Sequence, residues 1–283
     1  QDQPFTFQVP VDTFHDIDAG DHLTYSATLA NGNPLPTWLT FDAATGTFTG
    51  TPANGDVGSV AVKVTATDLA GATADNSFNL NVANINDAPV VATPLADQAA
   101  TEDQAFTFQV PGDTFNDIDA GDKLTYGATL ANGDPLPAWL TFDVATGTFS
   151  GTPTNDNVGA IAVKVTATDI AGASAASGFS LSVANVNDAP IVAAPFPDQS
   201  AKEAQLFTFQ VPGNTFIDID AGDKLAYSAT LANGNPLPAW LKFDPATGVF
   251  SGTPGKNNVG ALNVQVTAAD LAGATANDSF TIN

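Results

Sequence analysis

Residues 106–110 read Phe-Thr-Phe-Gln-Val, with apolar and polar side chains alternating at the period of a strand that buries one face. The alternation returns at Leu124, Tyr126, Ala128 and Leu130. It returns again at Ile161, Val163, Val165 and Ala167, where Lys164, Thr166 and Thr168 take the polar places. Between these runs, Asn132-Gly133-Asp134-Pro135 and the stretch 143–147 carry turn chemistry: residues that tolerate left-handed backbone or hydrogen-bond their own main chain. Trp139-Leu140-Thr141-Phe142 and 148–150 predict two short strands, and Phe179, Leu181 and Val183 predict a closing one. No stretch carries a helical period. About seven short strands punctuated by Gly, Pro, Asn and Asp predict an all-β fold, an Ig-like sandwich with Greek-key connections. Trp139 is expected to fill the space between the two sheets, since large aromatics are mostly core residues.

The pattern is repeated. Asp-Ile-Asp-Ala-Gly-Asp occurs at 16–21, 117–122 and 218–223, and the same spacing of 101 residues separates Trp38, Trp139 and Trp240. A fixed period of that size means one unit used three times. The expected units are 1–86, 87–187 and 188–283, three tandem β-sandwiches in an extended array. Gln1 aligns with Glu102 and Asn283 with Ser182, inside a predicted strand, which is the pattern expected of a piece cut from a longer array. Between units lie Asn84-Ile85-Asn86-Asp87-Ala88-Pro89 and Asn185-Val186-Asn187-Asp188-Ala189-Pro190, short linkers ended by a proline that cannot donate to a ladder.

Composition adds a constraint on chemistry. The chain holds 30 acidic residues, 28 of them Asp, against 7 lysines and no arginine, for a formal charge of −23. Such a charge repels nucleic acid and anionic membrane, so neither is an expected partner, and no apolar run reaches membrane-spanning length. With no cysteine, disulfides cannot hold the fold. The two histidines, His15 and His22, occur in one unit of three, which argues against a catalytic base, and the chain is not expected to be an enzyme.

On a sandwich with alternating strand directions, Asp117, Asp119 and Asp169 fall at the end of the unit that meets the incoming linker, beside Asn86 and Asp87. Clustered carboxylates repel one another unless a cation sits among them, and short Asp loops suit hard cations such as Ca²⁺. The arrangement is not an EF-hand: the twelfth position from Asp117 is Ala128, not a bidentate Glu.

These motifs together resemble cadherin-type repeats. The Asn-x-Asn-Asp-Ala-Pro linkers are similar to the cadherin Asp-x-Asn-Asp-x-Pro. Asp117-x-Asp119, Asp169-x-x-Gly172 and Glu102 stand where that family carries Asp-x-Asp, an Asp near Gly, and an N-terminal Glu. Pro-Ala-Trp-Leu-Thr-Phe (137–142) and Thr-Gly-Thr-Phe-Ser-Gly-Thr-Pro (146–153) resemble the dystroglycan-type, cadherin-like branch found in large bacterial surface and RTX-type adhesins. The resemblance implies Ca²⁺ between units. Junction one would draw on Asn84, Asn86, Asp87, Asp117, Asp119 and Asp169. Junction two would draw on Glu102, Asn185, Asn187, Asp188, Asp218, Asp220 and Asp270. Asp122 and Asp223 would either ligate or cap the turn.

Two departures limit the ion count. Gln1 replaces the Glu102-type carboxylate in unit one. The family's Asp-x-Glu element is replaced by Asn54-Gly55-Asp56, Asn155-Asp156-Asn157 and Lys256-Asn257-Asn258. About one or two ions per junction are therefore expected. Asp16 and Asp18, with no unit before them, are expected to bind weakly or stand empty. The implied function is a calcium-stiffened extender of a secreted or cell-surface adhesin, acting as a monomer with the neighbouring repeats as partners. The alternative is a Ca²⁺-dependent carbohydrate-binding module with cell-surface glycans as partner. Homophilic adhesion ranks third, because no unit is specialised for it.

Overall fold

The computed structural model describes all 283 residues except Ala19 and Ala120, the alanines of the first two hexapeptides. Unit two shows the architecture. One layer holds Phe106–Gln109, Thr148–Gly151 and Leu140–Asp143, with 148–151 in the middle and all pairs antiparallel. The other holds Thr125–Leu130, Gly159–Thr168 and Ser174–Ala184, again antiparallel, with Gln98–Thr101 added parallel to the outer side of Ser174–Ala184. The chain therefore crosses between the layers repeatedly, and each alternating run turns its apolar set into the space between them. Phe149, Val165 and Leu181 are wholly buried there. Phe149 makes an edge-on contact with Phe179 at 5.6 Å and a tilted one with Phe142 at 4.6 Å between ring centres. Units one and three repeat the long antiparallel pairs at the same offsets.

Two features differ from the expectation. The sequence pattern misses Gln98–Thr101 and the two-residue pairing of Val90–Val91 with Phe115–Asn116. These segments are two to four residues long, too short for alternation to show, although Ala100 and Phe115 are buried in the core. Trp139 is also not the centre of the sandwich. It sits half-buried in the turn before Leu140, packed on the rim of the core, while Phe149 occupies the middle. Its main chain imposes its own demand: a Cβ at Gly151 would lie 1.9 Å from the Trp139 carbonyl oxygen, and Gly50 and Gly252 face Trp38 and Trp240 in the same way.

The fold also fixes which loops meet. Thr125 pairs with Thr168, so the acidic loop before one strand and the Asp169 turn after the other emerge side by side. Gly159 pairs with Val183, so the 3-10 turn at Asn155–Asn157 emerges at the opposite end, beside the outgoing linker.

Replacing Gly151 with Ala is expected to destabilise unit two by about 1–3 kcal/mol, because the backbone must shift to admit the methyl group. Gly127→Ala, at a position with open space, serves as the control and should be near neutral; urea denaturation compares the two.

Candidate metal centre at the unit junctions

Within each unit, carboxylate oxygens from the acidic loop and the neighbouring turn gather to within 4.8 Å of one another: Asp16, Asp21 and Asp68; Asp117, Asp119 and Asp122; Asp218, Asp223 and Asp270. In unit one the gathering of Asp16, Asp21 and Asp68 draws on residues of that unit alone. Local geometry explains it. The Asp119 amide donates to Asp117 Oδ1 at 2.9 Å, curling the loop, and the Ala173 amide donates to Asp169 Oδ1 at 2.8 Å, closing the adjacent turn.

The linker and the preceding unit complete the surroundings. Asp119 Oδ2 accepts the Asp87 amide at 2.8 Å, and its Oδ1 accepts the Asn54 side-chain amide at 3.0 Å. Asn86 donates to Asp169 Oδ2 at 2.9 Å. Junction two repeats this contact for contact: Asp188 amide to Asp220 at 2.9 Å, Asn155 to Asp220 at 2.9 Å, Asn187 to Asp270 at 2.9 Å. The consequence is burial. Asp119 and Asp220 are 5% and 7% exposed.

The position that is Gln1 in unit one and Glu102 in unit two also serves the outgoing junction. Glu102 is buried, and Val186 donates to its Oε2 at 3.3 Å. Gln1 is buried too and donates its side-chain amide to Asp87 Oδ2 at 3.0 Å and to the Ile85 carbonyl at 2.9 Å. At junction two, Glu102, Asn155, Asp188 and Asp218 border a cleft of about 670 Å³.

The structure thus brings together Asn86, Asp87, Asp117, Asp119 and Asp169 at the first junction. At the second it brings together Glu102, Asn187, Asp188, Asp218, Asp220 and Asp270. Asn84 and Asn185 are exposed on the linkers and make no side-chain hydrogen bond among those described. Sequence reasoning missed Asn54 and Asn155 as site residues, having read 54–56 and 155–157 as the place where an acidic pair is lost. The signal that could have found them is the constant offset of 65 residues to Asp119 and Asp220.

The donor set fits a hard divalent cation. Asp117 Oδ2 and Asp122 Oδ2 are buried and accept no hydrogen bond; Asp218 Oδ2 and Asp223 Oδ2 repeat the pattern, and Gln1 Oε1 is a further unpartnered oxygen. A buried carboxylate oxygen without a donor costs free energy, and several facing one another cost more. No lysine relieves them: among the described residues the one ion pair is Lys63–Asp75 at 3.5 Å. Several anionic oxygens with room around them suit Ca²⁺, which takes six to eight oxygen ligands in adaptable geometry.

The carboxylates are electrostatically unequal. Burial, and then the charges of Asp117, Asp119 and Asp169, push Asp122 above the usual carboxylate range. The Asn86 amide holds Asp169 below that range against the effect of burial, assisted by the Ala173, Gly172 and Ala171 amides, and Asn187 does the same for Asp270. The signs follow. Without cation, ionising Asp122 costs stability as pH rises through its raised value. Asp169 and Asp270 contribute stability that is present above the ordinary carboxylate value and lost as pH falls through their lowered ones.

A family model described as Putative Ig domain matches residues 1–83, 88–184 and 189–283. The chain belongs to the Putative Ig domain family. Among curated relatives, the serine-rich adhesin for platelets of Staphylococcus aureus is 33% identical over 138 residues, which is 49% of this chain and 6% of that protein. Among solved structures, the Ig units are similar to mouse cadherin-23 EC22-24, at TM-score 0.62 and 19% identity, covering 92% of this chain and 85% of that one. They are also similar to protocadherin gammaB7 EC3-6, at TM-score 0.58 and 17% identity, covering 92% and 66%. At these identities the likeness is one of fold: tandem cadherin-like Ig sandwiches. No described helix is long and apolar enough to cross a membrane, which says nothing of strands.

Two measurements check the electrostatic picture. In chelator, NMR titration of the carboxyl carbons should find Asp169 and Asp270 protonating at lower pH than Asp122. Asp122→Asn should raise the melting temperature in chelator, by removing repulsion, and shrink the further rise on adding Ca²⁺. A fall in chelator would mean that Asp122 is held by contacts rather than opposed by its neighbours.

Proposed function

We propose that this chain is a calcium-binding extender segment of a secreted or cell-surface adhesin, in which Ca²⁺ at the junctions stiffens the array. The observation that carries the reading is the buried, unpartnered carboxylate oxygen on each member of the pairs Asp117/Asp122 and Asp218/Asp223, at the same place in both junctions. Around them, Asp119, Asp169, Asn86 and Asp87 at junction one would complete the site. At junction two this falls to Asp220, Asp270, Asn187, Asp188 and Glu102. The unit boundaries we assign, 1–86, 87–187 and 188–283, put each linker's Asn-Asp pair against the acidic loop that follows it. Bound Ca²⁺ would supply positive charge that offsets carboxylate repulsion and ties the loop to the linker. The protein's own residues set the relative placement of the units: Asn54 and Asn155 reach from the preceding unit to Asp119 and Asp220.

The adhesin relative supports the setting, while platelet binding is a statement about that protein alone. We assign no catalytic role to His15 or His22. The extender reading is favoured over carbohydrate binding because the fully exposed large apolar side chains of the described residues are Val, Leu and Ile, none of them aromatic.

Calorimetry should count about one or two Ca²⁺ per junction. Each site should raise unfolding stability by about 2.7 kcal/mol at a hundredfold excess of Ca²⁺ over its Kd. Small-angle scattering should show a longer maximum dimension in Ca²⁺ than in chelator. Absence of binding heat, with dimensions unchanged by chelator, would overturn the proposal.

A further inference from the structure

Asparagine followed by glycine readily loses its side-chain amide, because no Cβ hinders the glycine nitrogen from reaching the asparagine Cγ. Four such pairs occur, at 31–32, 54–55, 132–133 and 233–234. Three of them lie in the turns that follow Thr24–Leu29, Thr125–Leu130 and Ala226–Leu231, and their asparagines are exposed. Asn54-Gly55 is different. It lies in a 3-10 turn, and its asparagine is half-buried against the next unit.

The Asn54 amide nitrogen stands between two carboxylates. It donates to Asp119 Oδ1 at 3.0 Å and lies 3.5 Å from Asp87 Oδ2. Asp119 Oδ2 in turn accepts the Asp87 main-chain amide at 2.8 Å, so the linker and the preceding unit meet on one acidic side chain. Gly55 is exposed, with open space where a Cβ would stand. The restraint on the pair therefore comes from the bonds that hold the Asn54 amide across the junction. The second junction lacks the pair. Asn155 makes the same contact, to Asp220 Oδ1 at 2.9 Å, but Asp156 follows it, and the side chain and charge of Asp156 both hinder attack by its nitrogen.

We propose that Asn54 is a modification site gated by the first junction. Closure shields its amide, and opening exposes it to conversion into a carboxylate. In the open state the Gly55 nitrogen gives its proton to hydroxide and attacks Asn54 Cγ. That C–N bond forms as the Cγ–Nδ2 bond breaks, and Nδ2 leaves as ammonia with a proton from water. Water then opens the cyclic imide, at Cγ to give aspartate or at the main-chain carbonyl to give isoaspartate. The sum is one water consumed and one ammonia released, with no change of oxidation state. Either product removes a donor and sets a third carboxylate beside Asp87 and Asp119. A carboxylate accepts hydrogen bonds and donates none, so Asp119 loses a partner and gains a like charge. Conversion leaves the joint harder to close, which makes it a one-way record of opening.

The inference does not rest on calcium, and its test is run in chelator, so either reading can fail without the other. The intact 283-residue chain is held at mildly alkaline pH, then digested for peptide mass spectrometry. Asn54 should convert roughly tenfold or more slowly than Asn132, tenfold protection meaning about ten closed junctions for each open one. Asp119→Ala, which removes the acceptor, should bring the Asn54 rate towards that of Asn132 and leave the Asn132 rate unchanged. Asn54→Asp, which matches one product, should speed amide exchange at Asp87 by roughly tenfold and leave the Asp188 amide at the second junction unaffected. Conversion of Asn54 as fast as Asn132 in the unsubstituted chain would overturn the proposal. So would protection that survives Asp119→Ala, or an Asp87 amide indifferent to Asn54→Asp.

Discussion

Everything at the junctions depends on one strand pairing. The second long strand of each unit lies against the penultimate one, from Thr125–Thr168 to Leu130–Val163 in unit two, and the register is held by the apolar alternation of both. A slip of one residue would turn the buried set outward, so the core enforces the register strongly. Because it is enforced, the acidic loop ahead of one strand and the Asp turn after the other emerge together. Hydrophobic burial, which has no preference for charge, thereby forces like charges into contact. The linker amides and the Asn side chains of the preceding unit relieve Asp119 and Asp169, while Asp117 and Asp122 keep one oxygen each without a partner.

The strands that span the core were legible in the sequence, since their alternation is the physical reason they form. The edge segments were not. Gln98–Thr101 reads Gln-Ala-Ala-Thr, with nothing periodic about it, and it is a strand only because Ser174–Ala184 leaves its outer edge for it. Trp139 was misplaced by treating a large aromatic as central, when its position in a turn puts it at the rim and leaves the centre to Phe149. At the site, the Asp residues could be placed from strand direction alone. Asn54 and Asn155 could not, because an amide reaching across from another unit has no local pattern. Their importance shows only once the turn at the far end of one sandwich is seen against the loop of the next.

The two junctions are chemically similar but not identical. Glu102 brings a carboxylate to the second, whereas Gln1 brings a neutral amide to the equivalent place in the first, binding Asp87 and Ile85 through its nitrogen. On the calcium reading, the first junction carries one negative charge fewer, so it has less repulsion to overcome without cation and less attraction to offer it. A single array built from near-copies can in this way hold joints of unequal strength.

The parallel pairing of Gln98–Thr101 with residues 181–184 also bears on how a unit responds to tension. The strand near the start of unit two and the strand at its end lie side by side and run the same way. A pull on the two ends of the unit therefore drives these strands past each other along their length. The four paired positions are loaded together, in shear, instead of being opened one at a time from an end. Under such a load unit two would give way only when this patch of hydrogen bonds fails as a whole, so its resistance would follow from strand direction.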